Sequence, residues 1–203
     1  MQEELEIINS DWFMNESDIE DKIKKNDELF NREEFKQKTK MLFIKIQQAI
    51  MDRNLEEIRY FETEDLFEKQ TNQVEEYIKN GQINIIDRVC ILNSRLFMYE
   101  CNDEREVLVN ILESRMINYI AEDGSSRVIK GDKRAEKNKS YKLEFIRKVG
   151  IKTGPKLEGL NPLNCPNCGA PTNITLSGQC NYCGNIVNNI GWILNSIEQI
   201  KIV

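Results

Sequence analysis

The pair Asn80-Gly81 divides this chain into two stretches of different periodicity, and that change constrains the fold more than any other feature. Before it, apolar residues recur at helical spacing. Phe35, Leu42, Ile46, Ala49 and Ile50 fall along one side of a helix expected over residues 33–52, with Lys36, Lys38, Lys40, Lys45 and Gln48 on the wet side. Residues 55–61 read as another short helix. Thr63 reads as the N-cap of a further one, which carries Phe67, Val74 and Ile78 and stops at Asn80-Gly81. After Gly81 the pattern shortens to a period of two. Strands are expected over 83–98, 106–121, 141–149 and 192–197, with a turn at 101–104, a hairpin turn at 122–126 and a charged loop at 131–140. In the longest of them Val107, Val109 and Ile111 share one face and Leu108, Leu112 and Met116 the other. Helices first and strands afterwards predict an α+β fold with an antiparallel sheet. Residues 1–26 form an acidic N-terminal arm or a short helix, docking through Trp12, Phe13, Met14, Ile19 and Ile23.

Two cysteine knuckles interrupt the strand-rich half: Cys165-Pro166-Asn167-Cys168-Gly169 and Cys180-Asn181-Tyr182-Cys183-Gly184. Cys165, Cys168, Cys180 and Cys183 match the tetrahedral preference of Zn²⁺, with Zn–S distances of about 2.3 Å. Each knuckle is followed by a glycine, which lets the backbone turn tightly, and Pro166 stiffens the first. The spacing predicts a zinc ribbon over residues 160–187. A closed four-thiolate shell leaves no position for water or substrate, so the metal is expected to be structural. A redox dithiol needs only one knuckle, which argues against that use. The other two cysteines, Cys90 and Cys101, are expected in the core.

The 203 residues include no histidine. That removes the commonest general base, the Ser-His and Cys-His nucleophile pairs and every mixed Cys/His metal site, so the expectation is a protein that is not an enzyme. Hydrophobic residues make up 40% and charged residues 31%, the balance of a folded globular chain. No apolar run approaches the roughly 18–20 residues that span a bilayer. An acidic start without a signal-peptide pattern, together with zinc-ready thiols, gives a cytoplasmic expectation.

Charge is unevenly distributed. Residues 1–34 carry 12 acidic and 4 basic side chains, whereas residues 127–156 carry 11 basic and 3 acidic ones. The basic segment is either a contact surface for anionic lipid, nucleic acid or an acidic protein, or a solvated hairpin tip. One member poses a sharper choice. Tyr141, Leu143, Phe145, Arg147 and Val149 share a strand face, so Arg147 is either buried with a carboxylate or carbonyl partner, or exposed at a sheet edge.

The run Phe43-x-x-Ile46-Gln47-x-Ala49, Asp52-x-x-Leu55-x-x-Ile58-Arg59 and Thr63-x-x-Leu66 resembles the C-terminal domain of the mitochondrial inner-membrane translocase subunit 44, the import-motor tether. The likeness continues through Asn84-Ile85, Tyr119-Ile120, the Gly131 turn and Tyr141-x-Leu143-x-Phe145-x-Arg147, and covers residues 27–203 as one domain. The knuckles followed by Trp192-x-Leu194 are similar to a bacterial branch in which a zinc ribbon precedes the last strand. The resemblance implies a nuclear transport factor 2-like cone, with N-terminal helices packed on a curved antiparallel sheet around a pocket. It also implies association with membrane and transport machinery, and it supplies no catalytic residues.

The leading expectation is therefore a non-catalytic protein-interaction or membrane-peripheral, transport-associated module with a structural zinc site, whose partner is a protein or an anionic membrane surface. A second reading is a small-molecule binder or enzyme that uses the pocket, signalled by Tyr119 or Tyr141 beside a carboxylate. A third, nucleic-acid binding, is disfavoured because residues 157–187 contain no Lys or Arg and the chain is acidic overall.

Overall fold

Three helices roof one face of a five-stranded sheet in the computed structural model, which describes residues 6–125, 127–153, 163–164, 171–172 and 191–203. Helix α1 (Glu16–Lys24) starts where the Asn15 side chain accepts a hydrogen bond from the Ser17 amide. Helix α2 (Arg32–Asp52) starts in the same way, Asn31 accepting from the Glu34 amide at 3.0 Å. α2 ends at Arg53 in the left-handed region, φ 57°, and the Arg53 guanidinium then donates to Asp123 and to the Gln82 carbonyl. Helix α3 (Glu64–Lys79) has Thr63 at its N-cap position without a side-chain cap bond; the Thr63 amide instead donates to the Leu194 carbonyl. Asn80 and Gly81, φ 63°, close it as expected.

The residues between α2 and α3 depart from expectation. They are turns ending in a single 3-10 turn, Arg59–Phe61, rather than a second helix. Leu55 and Ile58 are nevertheless buried, because the turn directs both under the helices. On α2, Phe43 is the fully buried anchor, Ile50 is only partly buried, and Lys36 lies inside the expected core face, where Glu16 and Glu33 pair with it. Ile78, near the end of α3, is exposed.

The sheet runs β1-β7-β4-β3-β2. Strands β2 (Gln82–Cys101), β3 (Arg105–Glu122), β4 (Val128–Lys148) and β7 (Ile193–Ile202) pair antiparallel in that chain order. The short β1 (Glu6–Ile8) adds itself parallel to β7, so the sheet is mixed rather than wholly antiparallel. The expected loop at 131–140 is also strand: β4 continues through it with an irregular register opposite β3. Two more short strands, β5 (Leu163–Asn164) and β6 (Pro171–Thr172), pair with each other.

Alternation along β3 sorts the core as its sequence indicates. Leu108, Leu112 and Met116 face the helices within the main cluster, with Phe35, Phe43, Phe145 and Leu194. Val109 and Ile111 face away and join Ile8 and Ile200 in a second cluster. Residues 6–13 cover that outer face: Phe13 packs edge-on against Phe97 at 5.3 Å, and Arg95 lies over the Phe13 ring. The flanking Trp12 and Met14 are exposed, not anchoring, whereas Ile19 and Ile23 are buried in the main core. Cys90 and Cys101 are exposed rather than buried; Cys90 follows a register shift in β2, and Cys101 is its last residue.

Candidate functional site

The helical roof leaves a cavity of about 440 Å³ between α2, α3 and the sheet. Its apolar side is made by Ile46 and Ile50 of α2 with Ile86 of β2 and Ile197 of β7. Amides alternate with them: Gln47, Gln70, Gln73, Asn84 and Asn118. Lys130, Lys137 and Lys139 of β4 complete the lining.

A bulge in β4 delivers those lysines. Opposite β3 the register passes from Ile117↔Glu136 to Tyr119↔Gly131, which leaves extra residues on the β4 side. Gly131 makes this possible with φ 93°; a Cβ there would meet the Tyr119 Cβ at 2.9 Å and the Asn118 carbonyl at 3.0 Å. Lys133 and Arg134 project from the bulge, exposed. Of the two acids of the bulge region, one pairs outside it and the other stays within it. Glu136 pairs with Arg88 and Arg115, and Asp132 accepts from the Arg134 amide. The basic segment is therefore a strand edge and a cavity rim, rather than a free hairpin tip.

Inside the cavity, Lys139 Nζ donates to Asn118 Oδ1 at 2.9 Å, and Asn118 Nδ2 donates to Asn84 Oδ1 at 2.8 Å. Burial, and secondarily the Lys137 charge, lowers the Lys139 pKa. Burial raises both Tyr77 and Tyr141. Tyr119 and Tyr141 both line the cavity, as the pocket reading requires, but no carboxylate joins them among the described lining residues. Behind Gln70 sits Glu62, 6% exposed, whose Oε1 accepts from Gln70 Nε2 at 2.9 Å. Burial pushes the Glu62 carboxyl up to about 7, with the Gln70 hydrogen bond opposing only in part. Composition and motif give no sign of this group.

Of the two states open to Arg147, the structure shows the buried one. Its side chain is fully buried, with Nη1 on Asp27 Oδ2 at 2.6 Å and Nε on Glu106 Oε2 at 2.5 Å. The guanidinium lies 4.3 Å from the Trp192 ring centroid. Thr153 adds its amide and hydroxyl to Asp27, and Tyr99 donates to Glu106 at 2.7 Å. Burial alone would raise the Asp27 pKa, but hydrogen bonds from Arg147 and Thr153 outweigh it and hold the carboxyl low.

The four expected zinc ligands, Cys165, Cys168, Cys180 and Cys183, lie outside the described residues. The paired β5 and β6 flank residues 165–170, which hold the first knuckle. Among the described residues, no group of three or more Cys, Asp or Glu side chains is placed to hold a metal.

The model of the Tim44-like domain family matches residues 17–156 of this chain. No curated protein matches significantly. Among solved structures, the intermembrane space region of chloroplast protein ARC6 is similar at 7% identity and a TM-score of 0.46, over 85% of this chain and 98% of that one. A likeness at that score carries no argument about this chain.

Proposed function

The chain belongs to the Tim44-like domain family, and on that premise we propose that it is a non-catalytic, membrane-peripheral interaction module of a transport-associated assembly. The observation that carries this reading is the β4 bulge. It sets Lys133 and Arg134 in solvent beside Lys130 and Lys137, while Glu136 is paired with Arg88 and Arg115 and Asp132 is the one acid left among these four cations. Such a surface favours an anionic membrane or an acidic protein face. No helix among the described residues is long and apolar enough to cross a membrane, so attachment through this surface would be peripheral. Helices packed on one face of a five-stranded sheet are the support for the nuclear transport factor 2-like cone that the sequence resemblance implies. The four knuckle cysteines complete the proposal as a structural Zn²⁺ site of a ribbon inserted before β7, with the protein working at the cytoplasmic side of its membrane.

Co-sedimentation of the full chain with vesicles tests this. Each basic residue close to an anionic surface contributes on the order of 1 kcal/mol. Vesicles containing phosphatidylserine should recover the protein, neutral phosphatidylcholine vesicles should not, and Lys133→Glu/Arg134→Glu should abolish recovery. Equal recovery on both vesicle types, insensitive to salt, would sink the membrane part of the proposal.

A further inference from the structure

Three lysines meet at one cavity with no acid beside them. Lys130, Lys137 and Lys139 form a pocket wall, and none of them pairs with a carboxylate among the described residues. Lys139 is half-buried while Lys130 and Lys137 are exposed at the rim, and like charges gathered this way are unfavourable unless a counter-charge joins them. Lys139 registers that cost, since burial and then the Lys137 charge push its ammonium toward the neutral form.

A second observation comes from the opposite wall. Gln70 is 5% exposed and lines the cavity; its Nε2 is committed to Glu62, and its Oε1 is buried without a hydrogen-bond partner. A buried acceptor left unsatisfied costs about 1–3 kcal/mol, and a donor brought by a ligand would remove that penalty. The cavity lining therefore combines lysines, isoleucines and a residue that carries an orphan acceptor. Interleaved amides from Gln47, Asn84 and Asn118 make it a poor lining for a wholly apolar chain.

We propose that this cavity binds a compact organic anion, its carboxylate or phosphate held by Lys139, Lys137 and Lys130 and a hydroxyl or amine on its body donating to Gln70 Oε1. At about 440 Å³ the space suits a small ligand rather than a macromolecular segment. The site shares its rim lysines, Lys130 and Lys137, with the surface reading above, whereas Lys139 and Gln70 belong to the cavity and Lys133 and Arg134 to the surface alone, so variants of those four residues tell the two apart.

An NMR titration of the full chain decides it. The probes are phenyl phosphate and 4-hydroxybenzoate, which distinguish a phosphate from a carboxylate head, with benzyl alcohol as the neutral control. The expected result is saturable shifts at Gln70, Tyr77, Asn118 and Lys139 with at least one anion. Lys139→Met should weaken that binding by about tenfold or more, the loss of one charge-assisted contact in a sheltered site. Because Lys139 also holds Asn118, the double variant Lys130→Gln/Lys137→Gln serves where Lys139→Met misfolds, and it should weaken binding comparably. Lys133→Gln/Arg134→Gln should leave it unchanged. Absence of saturation with both anions, equal binding of benzyl alcohol, or shifts confined to Lys133 and Arg134 would each overturn the proposal. Dioctanoyl phosphatidic acid binding there more than about tenfold tighter than phenyl phosphate would overturn the compact body and reassign the site to a lipid.

Discussion

Replacing Arg147 by methionine should be the most damaging single change outside the hydrophobic core. Met fills much of the same volume, so the effect reports charge and hydrogen bonding more than a cavity. The change leaves Asp27, 1% exposed, and Glu106, 2% exposed, buried without their cation. Removing one partner of a buried ion pair costs about 3–5 kcal/mol, because the remaining charge keeps its desolvation penalty. The contact with the Trp192 ring adds up to about 2 kcal/mol, though the two terms share the same guanidinium and do not simply sum. A loss of about 4 kcal/mol is the expected outcome. At about 2–4 °C per kcal/mol for a chain of this size, Tm should fall by about 8–16 °C. Urea unfolding should show a lower midpoint with an unchanged slope.

Two further measurements separate this mechanism from general disruption. Adding Asp27→Asn and Glu106→Gln to Arg147→Met removes the stranded charges, so the triple variant should be more stable than the single one. The low Asp27 pKa also sets an acid window. A depressed carboxylate stabilises above its unfolded value of 3.8, and that stability is lost as pH falls through the folded value below it. Arg147→Met should flatten this part of the acid limb. A loss of less than about 1 kcal/mol for Arg147→Met would refute the reasoning, since a solvated pair has that value.

Glu62 should make stability fall as pH rises. Its raised pKa means that its contribution is fully present below the unfolded value of 4.5 and is lost as pH rises to about 7, a change of about 3 kcal/mol. Urea midpoints at several pH values check this, and Glu62→Gln should remove the dependence; an unchanged slope in the variant would assign it elsewhere. Gly131→Ala forces a Cβ into the Tyr119 and Asn118 backbone at positive φ, so a destabilisation of about 1–3 kcal/mol is expected in thermal unfolding, along with altered Lys137 and Lys139 amide shifts. Wild-type-like stability and shifts would show that the bulge does not need glycine. Cys168→Ser should lower zinc content measured by elemental analysis of the purified chain, because a four-thiolate site loses a ligand; full retention of one zinc per chain would remove Cys168 from the ligand set.

Much of the framework was legible because its signals are local. Asn80-Gly81 ends α3 through a residue that tolerates positive φ, and the alternation along β3 assigns Leu108 and Val109 to opposite faces with no knowledge of the partner strands. What escaped depends on contacts distant in sequence. β1 is three residues long and becomes a strand only because β7, nearly two hundred residues later, offers an edge. Residues 131–140 are rich in charge and look like a loop, yet pairing with β3 holds them extended, since side chains facing solvent leave the backbone ladder intact. Cys90 illustrates the reverse: a thiol that composition places inside is turned outward by one register shift.

The same distinction separates Arg147 from the cavity. The period-two rule narrowed Arg147 to two states, and burial then required a partner, although Asp27 lies 120 residues away. Nothing comparable could identify Glu62 or Gln70, because their significance is burial against each other with one oxygen of each left unsatisfied. The Arg147 cluster also ties the end of β4 to the start of β7. Thr153 is fastened to Asp27, Trp192 lies under the guanidinium, and a Cβ on Gly191 would touch the Ile151 side chain at 2.5 Å. Both ends of residues 154–190 are thereby held against one buried ionic cluster. The family match closes at residue 156, within a few residues of that anchor. Arg147 and its partners thus join the two strands beside their Ile146↔Ile193 pair, next to where the antiparallel register of β4 and β7 begins.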